Sequence, residues 1–218
     1  MPAELAVAIK PRLRGVFHAY ACALAVAGGI VLLAEASSAR ARIAAAIYAT
    51  SLLTLFAVSA LYHRIDWAPR GRRWMRRLDH STIFVFMAGV ITPFAVLSFS
   101  HSAGPVLLIV AWSAALAGMT VNLIWVGAPK WVSAVLYIAV GWVGVAAIPQ
   151  MLDHVGIVAT ALFMGGGIIY TLGAVVYASE KPNPWPRVFG YHEIFHVMVI
   201  VAAAMHYAAI AGYVVPGS

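Results

Sequence analysis

His192 and His196 lie four residues apart in the segment His192-Glu193-Ile194-Phe195-His196. On a helix this spacing stacks both imidazoles on one face, about 5–6 Å apart at Cβ. Two such rings can share one tetrahedral Zn²⁺ at Zn–N distances of roughly 2.0–2.1 Å. His63 is available as a third ligand, and three protein ligands leave the fourth position to water, the pattern of catalytic sites. Ser59 precedes His63 by four residues, on the same helical face, and could hydrogen-bond a ligand or that water. Asp79 could accept a hydrogen bond from the water or orient a histidine. The same segment matches the H-E-x-x-H signature of zinc proteases, in which the glutamate is the general base. Glu193 is offset from the histidine face, however, and facing the headgroups or pairing with Arg187 or another loop arginine is its alternative. Cys22, the one cysteine, allows no intramolecular disulfide and no Cys-based zinc site.

These residues must be positioned by helices in a membrane. Of 218 residues, 63% are hydrophobic and 10% charged, and mean hydropathy is +0.92. A soluble domain carries roughly 25% charged residues, so an ordinary cytosolic globule is excluded, and so is disorder. Seven stretches reach the roughly 20 apolar residues that a spanning helix needs: 16–34, 43–63, 78–99, 104–126, 131–149, 155–178 and 191–214. The expected fold is an all-α integral membrane protein, a single seven-helix domain over 16–214 between tails 1–15 and 215–218. The first apolar run exceeds the 7–15 residues of a signal-peptide core, so it is expected to be retained as a span. Pro93 and Gly165–Gly167 mark kinks or close packing.

Orientation follows from the cations. The N-terminal side holds Lys10, Arg12, Arg14, the six arginines of segment 64–77, Lys130, Lys181 and Arg187. Arg40 and Arg42 alone fall on the other side. The excess places the N-terminus in the cytoplasm and the C-terminus outside, opposite to G-protein-coupled receptors. The net charge of +7 then reflects topology and contact of loop 64–77 with anionic headgroups. Nucleic-acid binding is not expected. With this orientation His63 ends the second span, Asp79 and His80 begin the third, and His192, Glu193 and His196 begin the seventh, all at the cytoplasmic side. Ionisable residues within spans are functional candidates by default, and three helices distant in sequence bring theirs to one depth. Elsewhere, His80 points about 100° from Asp79 and is taken as supporting or interfacial. His18 is taken as interfacial, His206 as too far along its helix, and His101 and His154 as solvated. Most tryptophans and tyrosines fit an interfacial belt, and Asn122 fits an interhelical hydrogen bond.

Ser59-Ala60-Leu61-Tyr62-His63, Arg77-Leu78-Asp79-His80-Ser81 and Gly190-Tyr191-His192-Glu193-Ile194-Phe195-His196 together resemble the hemolysin III family, the bacterial branch of the progestin and adipoQ receptor (PAQR) superfamily. The resemblance covers essentially the whole chain. It implies a seven-helix bundle in the bacterial inner membrane with zinc near the cytoplasmic face, held by His63, His192 and His196. Asp79 and Ser59 would lie beside the water. The superfamily is similar to alkaline ceramidases and includes the adiponectin receptors. Its bacterial members are associated with membrane-lipid homeostasis. The cytolysis in the family name finds no support in a pore-forming repeat. The leading expectation is a zinc hydrolase of a lipid amide or ester, with Asp79 as general base and Ser59 steadying the oxyanion. The alternatives are a lipid-sensing protein stapled by structural zinc and an intramembrane metalloprotease using Glu193. No inverted repeat suggests a transporter.

Overall fold

The computed structural model describes residues 10–125 and 127–216. Residues 1–9 of the expected N-terminal tail, Val126 at the end of the expected fourth span, and residues 217–218 lie outside the described residues. Seven helices are long and apolar enough to cross a membrane. They are α1 (Val16–Glu35), α2 (Ala39–Arg64), α3 (Pro69–Ser98), α4 (Ala103–Ile124), α5 (Lys130–His154), α6 (Gly156–Ser179) and α7 (Tyr191–Val214). Among the described residues no strand forms beyond an isolated bridge between Trp185 and Phe189.

Two helices begin well before their apolar runs. The α2 N-terminus is capped by Ser38, whose Oγ accepts from the Ala41 N–H at 3.0 Å, satisfying one of the orphan donors of the first turn. In α3 the helix starts at Pro69, in the first-turn position where a missing N–H costs nothing. The arginine segment was expected to be a loop as far as Arg77. Instead Arg70, Arg72, Arg73, Arg76 and Arg77 stand on a helical extension of α3, because arginine is a strong helix former and water begins where the apolar run stops.

Consecutive helices pack side by side, and α1 meets α7 to close the ring. Small residues set the approach distances. A Cβ on Gly118 would enter the Phe84 ring, and one on Gly166 would meet the His206 ring. These contacts draw α4 onto α3 and α6 onto α7, as small residues do between membrane helices. α3 is the most enclosed helix, with 72% of its apolar window buried against 22% for α4. Pro93 lies inside α3 and is followed by a π-helical turn at Phe94–Ser98, where the wider turn absorbs the missing proline donor. α5 is broken: a 3₁₀ segment, Trp142–Ala147, separates Lys130–Gly141 from Ile148–His154. The large core side chains Tyr48, Phe84, Phe86 and Phe94 are fully buried, whereas Tyr20, Leu24, Ile30, Ile109 and Ile157 stand exposed on the outside. An apolar exterior of this extent suits lipid as the surrounding solvent.

Candidate metal centre

α2, α3 and α7 converge at the arginine-rich end. His63 sits in the last turn of α2, with His192 and His196 one turn apart at the start of α7. The three rings form a triangle with centroids 4.8 Å (His63–His192), 5.0 Å (His63–His196) and 4.6 Å (His192–His196) apart. Each offers a ring nitrogen, and these ligand atoms lie within 4.8 Å of one another, close enough to hold a metal ion. The fit can be tested on His63 Nε2 and His192 Nε2, which are 3.2 Å apart. Two nitrogens each 2.0–2.1 Å from one tetrahedral ion are separated by roughly 3.3 Å. The observed pair already has that spacing, and the set of three imidazoles suits a borderline divalent metal.

Asp79 and Ser59 complete the group. Both are buried. Asp79 Oδ2 lies 3.7 Å from His63 Nε2, and Ser59 lines the same small cavity as Asp79. His80, expected to be supporting or interfacial, stands 6.3 Å edge-on from Tyr177 and lines the same small cavity as Ser59, Asp79, His192 and His196.

Glu193 is committed elsewhere. Its Oε2 accepts from the Gly190 N–H at 2.8 Å, and its Oε1 accepts from Arg14 Nε. The partner is neither Arg187 nor a loop arginine but the N-terminal segment. With 1% exposure and both oxygens engaged, Glu193 caps α7 and anchors that segment, and neither oxygen is free to act as the base of a H-E-x-x-H protease. The expected result for Glu193→Gln is a protein that retains metal but loses roughly 2 kcal/mol of stability, since hydrogen bonds to charged groups contribute on that order. Thermal unfolding in detergent together with metal analysis checks it.

The N-terminal segment covers the centre. Arg12 N–H and Leu13 N–H donate to the carbonyls of Arg187 and Val188 at 3.1 and 3.2 Å, and Lys10 pairs with Asp66 at 3.1 Å. Gly15 has φ 76°, and a Cβ there would stand 2.6 Å from His63 Cβ. Only glycine combines that left-handed turn with this close approach. The segment thus closes the arginine-rich end over the histidines.

Sequence reasoning missed His18. It was taken as interfacial, yet it is 3% exposed and stacks on His196 with centroids 3.9 Å apart and planes 6° from parallel. Neither ring nitrogen has a hydrogen-bond partner. The signal was present: His18 follows Arg14 by one helical turn, at the depth used to group the other histidines. His206, expected to lie away from the centre, does so, with Nε2 3.0 Å from the Phe163 carbonyl oxygen.

A second, apolar cavity adjoins the centre. Leu55, Ile83, Tyr137, Phe195 and Val199 line both it and the small cavity beside the histidines. The broken part of α5 forms its outer wall, where Trp142 Nε1 donates to Thr171 Oγ1 of α6 at 2.9 Å.

Comparison with known proteins is consistent with these features. The haemolysin-III related family model matches residues 7–207. Hemolysin-3 of Bacillus cereus is 29% identical over 202 residues, covering 91% of this chain and 89% of its own length. The monocyte to macrophage differentiation factor of Homo sapiens is 27% identical over 200 residues, covering 90% of this chain and 81% of its own. The heptahelical transmembrane protein 5 of Arabidopsis thaliana is 39% identical over 88 residues, covering 36% of this chain and 24% of its own.

Proposed function

The chain belongs to the haemolysin-III related family, and from that premise we propose that it is a zinc-dependent hydrolase of a lipid amide or ester, working from the cytoplasmic side of a bacterial inner membrane in membrane-lipid homeostasis. The observation that carries this reading is the convergence of three imidazoles, a carboxylate and a hydroxyl at the end of an apolar cavity. His63, His192 and His196 would hold the zinc, which when bound supplies Lewis acidity and a water of lowered pKa. Asp79, whose Oδ2 is 3.7 Å from His63 Nε2, would take a proton from the attacking nucleophile, and Ser59 would steady the oxyanion. A base must reach the proton it removes, and this geometry meets that condition without rearrangement of the helices.

An apolar cavity beside the histidines, lined in part by α5 and α6, supports a lipid as the substrate. An acyl chain threaded through that cavity would bring a scissile carbonyl beneath the histidines. The test is turnover by the purified protein of an N-acyl amine and its ester analogue, each with a long and a short acyl chain. Release of fatty acid is expected from the long-chain compounds at rates at least tenfold above the short-chain ones, each methylene in an apolar site contributing about 0.8 kcal/mol. Equal rates, or no release from either, would remove the reading.

The structural-zinc alternative has one observation in its favour. His63, His192 and His196 tie α2 to α7 in a centre sealed by Gly15, which is how a metal would staple the bundle. It expects metal and stability to be lost together, with no turnover.

A further inference from the structure

On the far side of α3 from the metal centre is a second polar cavity, lined by Arg76, Arg77, His80, Asn122, Trp125 and Ser133, together with Ala128. It lies where α3, α4 and α5 come together at the arginine-rich end. Its lining carries two guanidinium groups and no carboxylate. Among the described residues neither Arg76 nor Arg77 forms an ion pair. Two donors in this lining are buried without a hydrogen-bond acceptor: Nε of Arg77 and the side-chain nitrogen of Asn122, a residue only 6% exposed. Buried donors are normally satisfied, and leaving one unmet costs about 1–3 kcal/mol. A guanidinium and an amide in one recess ask for an oxyanion, and the arginine fork matches phosphate geometry.

We propose that this cavity binds a phosphate group, supplied by the headgroup of a phospholipid in the adjoining leaflet. Position favours the lipid over free phosphate. The cavity lies beside the point where α3 emerges from its apolar run; the half-exposed Trp125 lines it, and the Arg77 guanidinium of its lining stacks at 4.7 Å over a second half-exposed tryptophan, Trp74. Amphipathic aromatics of this kind mark headgroup level. Arg77 is thus held by its aromatic contact with Nε left free for the ligand. The proposal sharpens the general affinity of the arginine segment for anionic headgroups into a built site. It does not depend on hydrolysis. His80 lines both cavities, so a phospholipid held here stands next to the metal centre without touching its ligands.

The test uses the full-length protein in neutral detergent, with binding read from tryptophan fluorescence and lipid retention from native mass spectrometry. The probes are dioctanoyl phosphatidylglycerol, dioctanoylglycerol with the same chains and no phosphate, and inorganic phosphate. Phosphatidylglycerol is expected to bind saturably, and dioctanoylglycerol at least tenfold more weakly. Arg77→Gln and, separately, Arg76→Gln should each weaken phosphatidylglycerol about tenfold or more, while Arg40→Gln at the opposite end leaves it unchanged. Two arginine variants are used so that a folding defect in one does not decide the result, and unchanged metal content reports an intact fold. Saturable binding of inorganic phosphate with the same Arg77 dependence supports the phosphate site and names the free ion as its source. Equal binding of both lipids, or phosphatidylglycerol binding indifferent to both arginines, overturns the proposal.

Discussion

Purified in mild detergent without added metal, the protein is expected to carry about one zinc per chain, and both His63→Ala and His192→Ala to lose it. The expectation rests on spacing. The His63 and His192 Nε2 atoms are 3.2 Å apart, the edge length of a tetrahedral site, although they belong to helices separated by more than a hundred residues. A pair of neutral imidazoles could share one proton at this distance. The third ring, His196, and the nearby Asp79 carboxylate turn the pair into a ligand set with an outer partner, and outer partners tune affinity by 10–100-fold. Removing His63 leaves two ligands on one turn of α7. Removing His192 leaves one ligand on each of two helices. Neither remainder binds zinc through detergent purification. Since a bound ion would join α2 to α7, chelation should also lower the unfolding temperature of the wild type and leave that of His63→Ala unmoved. A folded wild type without zinc, by elemental analysis, would remove the hydrolase and the staple together.

The helices and the centre were legible in the sequence for different reasons. The seven spans follow from composition, because an apolar run of about 20 residues in water-free surroundings has few alternatives to a helix. Their ends were less visible. The start of α3 at Pro69 depends on the helix propensity of arginine and the placement of one proline, and a hydropathy window sees neither. The histidine cluster was legible because a fixed orientation lets depths be compared across helices. Lateral contacts were not. His18 shares the depth but reaches His196 only because α1 closes the ring against α7. Likewise Glu193 was known to be off the histidine face, while its partner Arg14 depends on the path of residues 10–15 across the end of the bundle. The cavities were not readable at all, since they arise from the break in α5 and from the side chains that fail to fill the space behind it.

Asp79→Asn should abolish most turnover, by about 10²–10⁴-fold in kcat, while zinc content stays at the wild-type level and KM changes little. Asparagine keeps the size of the side chain, so the helices need not move. What it loses is the ability to take a proton. The centre offers no ready substitute: His63, His192 and His196 would be occupied as ligands, and both Glu193 oxygens are engaged by Gly190 and Arg14. His18 and His80 remain. His18 is stacked face-on against His196, so its ring nitrogens point along the plane and not toward the ligand atoms. Both border the same cavity as Asp79, and His80 is the stronger competitor because its ring packs against Tyr177 and not against a ligand ring. The pair of variants separates them: Asp79→Asn falls by the full factor if Asp79 is the base, and His80→Gln falls by less than tenfold. If Asp79→Asn turns over at the wild-type rate, Asp79 is not the base. If the wild type, holding its zinc, turns over neither amide nor ester, the metal serves the bundle and Asp79 orients a ligand. Zinc content, kcat and unfolding temperature measured on the same preparations distinguish these outcomes, because a base deletion moves only kcat, a ligand deletion moves all three, and loss of a positioning partner moves zinc affinity first.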